Sequence, residues 1–215
     1  NQDLLTLFVV DSENKLVGSI TDGDIRRGLI KGIDIEDSIK NIYHRKVKFV
    51  VDDKSPDYEK MNYLRSKKIK LVPLVNKQNQ ILKILDFSIQ KAMLPIDAVI
   101  MAGGLGSRLK PLTDSTPKPL LKVGDKEIIA YNFDRLYQYG INNQCITVNY
   151  LSEQIVSFCD SYNKAINFNI IKEKEYYGTA GALSLIDDFQ NDTILLMNSD
   201  LLTNIDYEDF YKSFI

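Results

Sequence analysis

The residues best suited to chemistry in this chain fall in two neighbouring stretches, Ala102 to Thr113 and Thr116 to Leu121. Gly103, Gly104 and Gly106 place three glycines in four positions, which lets the backbone come close to a ligand and leaves its amides free to form a phosphate-binding nest. Ala102 opens this loop and Ser107 closes it. Arg108 follows and can fork onto phosphate oxygens. Ten residues later Lys118 stands between Pro117 and Pro119, whose rings hold the chain extended and make the lysine a prepositioned point charge. The loop lacks the third glycine of a dinucleotide fingerprint and the Gly-Lys-Ser/Thr of a P-loop, so neither reading applies. Two cations beside exposed amides suit the binding of phosphate groups. No Ser-His or Cys-His pair is evident. The single histidine, His44, lies beside Arg45 and Lys46 in a polar connection and reads as a surface residue. Cys145 and Cys159 lack metal-ligand spacing and read as reduced packing residues.

These groups need a frame. Beyond Leu94-Pro95-Ile96 the pattern alternates strand and helix. Strands are expected at Asp97 to Met101, Cys145 to Asn149, Asn167 to Ile171 and Thr193 to Met197. Helices are expected at Lys126 to Tyr139, Ser152 to Lys164 and Thr179 to Ile186, the first stopped by Gly140. Such alternation implies an α/β, doubly wound, mainly parallel sheet, whose ligands bind beyond the carboxyl ends of the strands. Asn149 ends the second strand, and Gly178, Thr179 and Asp200 follow the third and fourth. An aspartate there is also an ordinary turn or cap residue, so position alone does not decide its role.

The first 95 residues follow another plan. Leu7 to Thr21 reads as two β-rich runs around a polar turn, with a helix from Asp22 to Lys31, and the pattern recurs about 65 residues later over Val72 to Asp86. The second repeat, residues 47 to 95, is complete. It has a strand Val47 to Val51, a helix with Ser55 as N-cap and Pro56 in its first turn, two strands, and a short helix through Ile89. The first repeat, residues 1 to 46, lacks the opening strand and helix.

Residues 96 to 215 resemble the sugar-phosphate nucleotidyltransferases. The match lies in their Gly-x-Gly-x-Arg-Leu-x-Pro-Leu-Thr element, here Gly104 to Thr113, and in the following Pro-Lys-Pro. The resemblance extends to Gly178-Thr-Ala-Gly-Ala-Leu183, similar to the family's segment beside the base, and to Asn198-Ser-Asp200, similar to the segment whose aspartate binds magnesium. It implies a Rossmann-like domain that transfers a nucleoside monophosphate from a nucleoside triphosphate to a sugar 1-phosphate and releases pyrophosphate. Arg108, Lys118 and Asp200 would be catalytic. Ala102, Gly103, Gly104, Gly106, Ser107, Asn149, Gly178 and Thr179 would line the nucleotide site, and Mg2+ on Asp200 would be the cofactor. Tyr176 and Tyr177 stand where the family commonly has an apolar residue, and Glu127 where a proline is frequent. The base and the sugar stay open.

The βαββα repeats of residues 1 to 95 resemble a tandem CBS-domain pair, a smaller α+β module. That likeness implies self-association into a homo-oligomer and an adenine nucleotide whose ribose is held by Thr21 and Asp24. The plainer alternative is that these two residues cap the helix beginning there. In the second repeat Asp86 and Ile89 take their places and Lys83 replaces Gly18, so no second site is expected. The rival to an enzyme is a non-catalytic, nucleotide-sensing regulator.

Bulk properties exclude other classes. A net charge of −2 gives no footprint for nucleic acid, and the apolar runs fall far short of the roughly 20 residues that span a bilayer. A cytoplasmic location is the expectation. The chain begins at Asn1 rather than methionine, and the family continues beyond the equivalent of residue 215, so both ends are expected to be truncated.

Overall fold

The computed structural model describes residues 6–52, 57–162 and 166–215, apart from the side chains of Tyr58 and Thr179. The chain divides into two compact units, the first ending at Gln90 and the second beginning at Lys91.

In the first unit β1 (Thr6–Val10) and β2 (Leu16–Thr21) form an antiparallel hairpin that runs into α1 (Asp22–Ile30). Then come β3 (Val50–Val51), α2 (Tyr58–Ser66), β4 (Leu71–Val75) and β5 (Ile81–Asp86), with β3 parallel and β5 antiparallel to the central β4. The two hairpins share one register. Thr6 lies opposite Thr21 and Leu71 opposite Asp86, and both hairpins slip at the same place, between Val9 and Val10 and between Leu74 and Val75. The turns match as well. Asp11 and Asn76 each accept two backbone N–H groups through the side chain, and Asn14 and Asn79 both adopt left-handed backbone, at φ 62° and 64°, which asparagine tolerates. The two turns bridge at Lys15 and Gln80, and Leu16 and Asn79 exchange hydrogen bonds of 2.8 Å.

Burial differs between the hairpins. Val72 is fully buried, as are Met61 and Leu64 of α2, whereas Leu7, the counterpart of Val72, is 67% exposed. Among the described residues β1 has no equivalent of β3 and α2, and its apolar side opens into a cavity of about 490 Å3.

Three expectations change here. Pairing expected from Val47 is found only at Val50 and Val51, because the next position back on β4 is Pro73, which has no N–H to give. Ser55 and Pro56 lie outside the described residues, and the described helix is capped by Asp57, which accepts from Lys60 N at 2.9 Å. The short helix expected through Ile89 is a single turn, with the Asp86 carboxylate taking both the N–H and the hydroxyl of Ser88. Ile89 cannot return a hydrogen bond as a carboxylate would, so no capping box starts a helix.

The second unit is built on β6 (Ile96–Met101). It continues through a small hairpin, β7 (Lys122–Val123) and β8 (Lys126–Glu127), into α3 (Ile128–Gln138), β9 (Asn143–Val148), α4 (Ser152–Ser161), β10 (Asn167–Lys172), α5 (Gly178–Gly181), β11 (Thr193–Asn198) and α6 (Tyr207–Phe214). The four long strands are all parallel, in the order β10-β9-β6-β11. The chain steps outward from β6 to β9 to β10, then crosses back to the far side of β6. Both faces of the sheet are covered, as the near-continuous burial of β6 requires. On one face Phe133 packs with Phe158, Tyr162 and Phe168, and on the other Val99 and Cys145 pack with Ile186, Leu183 and Phe189.

The doubly wound α/β sheet is thus as the sequence implied, with changes at helix ends. Lys126 and Glu127 pair as strand before α3 begins. Gly140 follows α3 at φ 74°, where a Cβ would also lie 2.7 Å from Met93 Cα. The helix expected over 179–186 is one α-helical turn followed by a 3-10 turn. No helix among the described residues is long and apolar enough to cross a membrane.

Candidate active site

The crossing back from β10 to β11 puts the topological switch at the carboxyl ends of β6 and β11, and an open cavity of about 600 Å3 lies there. The glycine loop leaves β6 and forms one wall. Ala102 N donates to Thr147 O at 2.8 Å. At Gly103 a Cβ would lie 2.9 Å from Glu173 Oε1, so a side chain there would displace the Glu173 carboxylate. Gly106 is left-handed at φ 61°, with Thr113 Cγ2 2.9 Å and Lys118 Cβ 3.2 Å from where a Cβ would be. Buried Thr113 donates to Gly106 O at 2.9 Å, and Tyr150 Oη donates to Thr113 O at 3.2 Å. Gln154 Nε2 donates to Ser115 O at 2.9 Å. The loop and the Pro-Lys-Pro segment are therefore held against one another and against the start of α4.

Opposite this wall, β11 delivers Asn198, Ser199 and Asp200. Lys118 Nζ forms an ion pair with Asp200 Oδ2, both side chains being partly exposed to the cavity. Arg108 lines the same cavity from a 3-10 turn, exposed and without an acidic partner among the described residues. A phosphate chain entering between Arg108 and Lys118 would meet two cations and the loop amides, with a carboxylate across from them.

Residues 97–215 match the nucleotidyl transferase family. The chain belongs to that family. It is 34% identical over 123 residues to the mannose-1-phosphate guanylyltransferase catalytic subunit beta of Dictyostelium discoideum, covering 54% of this chain and 34% of that protein. It is 36% identical over 124 residues to the mannose-1-phosphate guanyltransferase of Schizosaccharomyces pombe, again over 54% and 34%. The chain thus spans about a third of the length of these relatives. A solved structure from Bacillus anthracis, assigned as a glucose-1-phosphate thymidylyltransferase, matches with 31% identity and a TM-score of 0.51 over 55% of this chain and 50% of that one.

The nucleotidyl transferase unit gathers most of the residues singled out from the sequence around one cavity: Ala102, Gly103, Gly104, Gly106, Ser107, Arg108, Lys118, Gly178 and Asp200. Asn149 stands behind the wall instead, its Nδ2 donating to Glu173 O at 3.2 Å and its Cβ against Gly103. The side chain of Thr179 is outside the described residues. Thr21 and Asp24 belong to the first unit and satisfy each other. Asp24 N donates to Thr21 Oγ1 at 3.3 Å, and Thr21 N and Oγ1 donate to Asp24 Oδ2 at 2.9 and 2.6 Å, a complete capping box on α1. The Thr21 hydroxyl, aided by Arg27, holds the Asp24 carboxyl below its ordinary value.

Glu173 was not among the sequence candidates. It immediately follows β10, its carboxylate lines the cavity, and it makes no side-chain hydrogen bond among the described residues. The rule that ligands bind beyond strand ends points to this stretch, but not to which of Lys172, Glu173, Lys174 and Glu175 faces the cavity. The two neighbouring tyrosines also separate. Tyr177 packs its Cβ against Gly181, whereas Tyr176, 56% exposed, lines the cavity beside Glu173 and Gly178.

For magnesium the test is the donor set. No cluster of three or more histidine, cysteine or carboxylate side chains occurs among the described residues. Mg2+ commonly takes one or two carboxylates and fills its remaining positions with phosphate oxygens and water. Asp200, at the mouth of β11 across from the glycine loop, fits a metal that arrives on the nucleotide.

Proposed function

We propose that this chain carries the nucleotide-binding half of a sugar-1-phosphate guanylyltransferase, which joins GMP to a sugar 1-phosphate and releases pyrophosphate. The observation that carries the reading is the convergence of Arg108, Lys118 and Asp200, from three separate segments, on one glycine-walled cavity at the switch point of the sheet. Arg108 and Lys118 would neutralise the phosphates and align the α-phosphorus. A phosphate oxygen of the sugar 1-phosphate attacks that phosphorus in line, the bond to the bridging oxygen breaks, and its electrons leave with pyrophosphate. Mg2+ held by Asp200 would supply charge stabilisation on the phosphate oxygens.

Glu173 supports guanine. A carboxylate is an acceptor at both oxygens, and guanine presents adjacent N–H donors on N1 and N2, where adenine offers an acceptor at N1. Tyr176 beside it would give the base a face to stack on. The names of the guanylyltransferase relatives agree with this choice.

Residues 1 to 95 we read as a CBS-like pair, a reading supported by the two hairpins of identical register, and we propose that it regulates the transferase. An adenine nucleotide at Thr21 and Asp24 would have to displace the capping hydrogen bonds already there.

The test is pyrophosphate release by the native-length protein with GTP, ATP, CTP, UTP and dTTP, each with mannose 1-phosphate and glucose 1-phosphate. GTP is expected to lead by at least about tenfold, on the order of one good base contact, and the lead to vanish in Glu173→Gln. Absence of sugar-dependent release with every nucleotide would leave the non-catalytic, nucleotide-sensing reading.

A further inference from the structure

Asp200 lies in an irregular segment, Ser199 to Asp206, between β11 and α6. Irregular segments do not by themselves hold a carboxylate to a fixed place, and this one is restrained by α3. Ser199, 5% exposed, donates its N–H to Met101 O at 3.1 Å and gives its carbonyl to Asn132 Nδ2 at 3.0 Å. Asn132 is itself 2% exposed, on α3. Three residues further along that helix, Arg135 donates to Ile205 O, and its guanidinium lies over the rings of Tyr139 and Tyr207. Residues three apart share a helix face, so one face of α3 holds the Asp200 segment at both ends. The same helix receives the chain from Lys118: the 3-10 turn that starts there leads through β7 and β8 into α3, and Ile128 N donates to Leu121 O at 3.0 Å.

The geometry points to Asn132 as a positioning residue for the metal-binding carboxylate, with Arg135 as the second tie. Asn132 does not line the cavity itself. Its amide fixes the carbonyl immediately before Asp200, and α3 thereby sets the distance between Asp200 and Lys118. A buried asparagine on the apolar face of a helix is costly unless its polar atoms are used, and this one is used on the peptide group next to the site. This inference rests on the reading of Asp200 as the ligand of nucleotide-borne Mg2+.

The experiment is a Mg2+ titration of GTP binding to this chain, by calorimetry, for wild type, Asp200→Asn, Asn132→Ala, Asn132→Gln and Arg135→Met. Removing a group that orients a metal ligand typically costs 10–100-fold in metal affinity. Asn132→Ala is therefore expected to raise the Mg2+ midpoint by about tenfold or more while GTP affinity without metal stays within about twofold, with Asn132→Gln recovering part of the loss. A lesser rise in Arg135→Met reads the same tie from its other end, and it keeps the proposal testable should Asn132→Ala fail to fold. In metal-free protein, faster amide exchange confined to residues 200–204 is expected in Asn132→Ala. If Asp200→Asn raises the midpoint but Asn132→Ala and Arg135→Met do not, Asn132 serves folding only and the inference falls. If Asp200→Asn leaves the midpoint unchanged, the metal role of Asp200 fails first, and this inference with it.

Discussion

Two places in this molecule set a carboxylate against a polar partner just beyond a strand, and they differ in where the partner comes from. Asp24 finds Thr21 three residues away, and the pair closes the first turn of α1. Asp200 finds Lys118, with α3, α4, α5 and three strands of the sheet, β9, β10 and β11, lying between them in the chain. The local pair is used up by the backbone beside it. The distant pair faces a cavity and is held there by scaffolding, namely Gly106 under Lys118 and Asn132 behind Ser199. Polar groups that satisfy one another within a turn serve the fold, whereas those carried from separate segments to one opening are available to a ligand.

The sharpest way to break this comparison is Lys118→Ala. Pyrophosphate release by the native-length protein should fall by about 100- to 1,000-fold, the scale of losing one preorganised charge-stabilising group. The unfolding midpoint should barely move, because a partly exposed ion pair contributes roughly 0–1 kcal/mol. A large loss of stability with activity intact would make Lys118 a structural residue like Thr21. Next is Gly106→Ala, which forces a Cβ into left-handed backbone at a cost of about 1–2 kcal/mol and pushes on Thr113 and Lys118. GTP affinity, read by calorimetry, should drop about tenfold.

Thr21→Ala should do the opposite: lower stability by about 1 kcal/mol, the worth of an N-cap, and leave GTP binding unchanged. The same variant has a signature in pH. The Asp24 carboxyl is held below its ordinary value chiefly by the Thr21 hydroxyl, so its contribution is fully present above the unfolded pKa of about 3.9 and is lost as pH falls from there through the folded value. Denaturation followed from pH 6 to 3 should lose that slope in Thr21→Ala. The smallest effect is expected at Cys159, whose thiol burial pushes up to about 12. Alkylation at pH 8 should leave it unmodified until the chain unfolds.

Most of the second unit was legible because its signals are local and periodic: a glycine loop after an apolar strand, Pro-Lys-Pro, and alternating strand and helix. Its site was legible because the carboxyl-end rule turns topology into a short list of residues. Glu173 escaped because a single glutamate in a charged run, Lys172-Glu173-Lys174-Glu175, carries no pattern of its own, and only the fold shows which of the four faces the cavity. Asn149 stands at a strand end on the cavity side of the sheet, yet its amide is drawn to the backbone carbonyl of Glu173. In the first unit the repeat could be read from apolar spacing, but the truncated pairing at β3 depends on what stands beside it, Pro73. Asn132 was invisible for the same reason, since nothing near it in the chain shows that it reaches Ser199.

β11 runs alongside β6 in six consecutive pairs, from Thr193 beside Ile96 to Asn198 beside Met101. Its entry is pinned as well: the buried Asp97 carboxylate accepts from Gln190 N and from both nitrogens of Asn191, at 2.6 to 2.9 Å. The strand therefore works as a ruler of fixed length, with its zero at Asp97 and its mark at Asp200. Sliding by one residue would turn every side chain to the opposite face, and sliding by two would carry the carboxylate about 6.6 Å along the strand, out of reach of Lys118. Insertions and deletions should accordingly be tolerated in the connection just ahead of Gln190 and rejected between Asn191 and Asp200, so a pattern of length variation among relatives would mark the strand that carries Asp200.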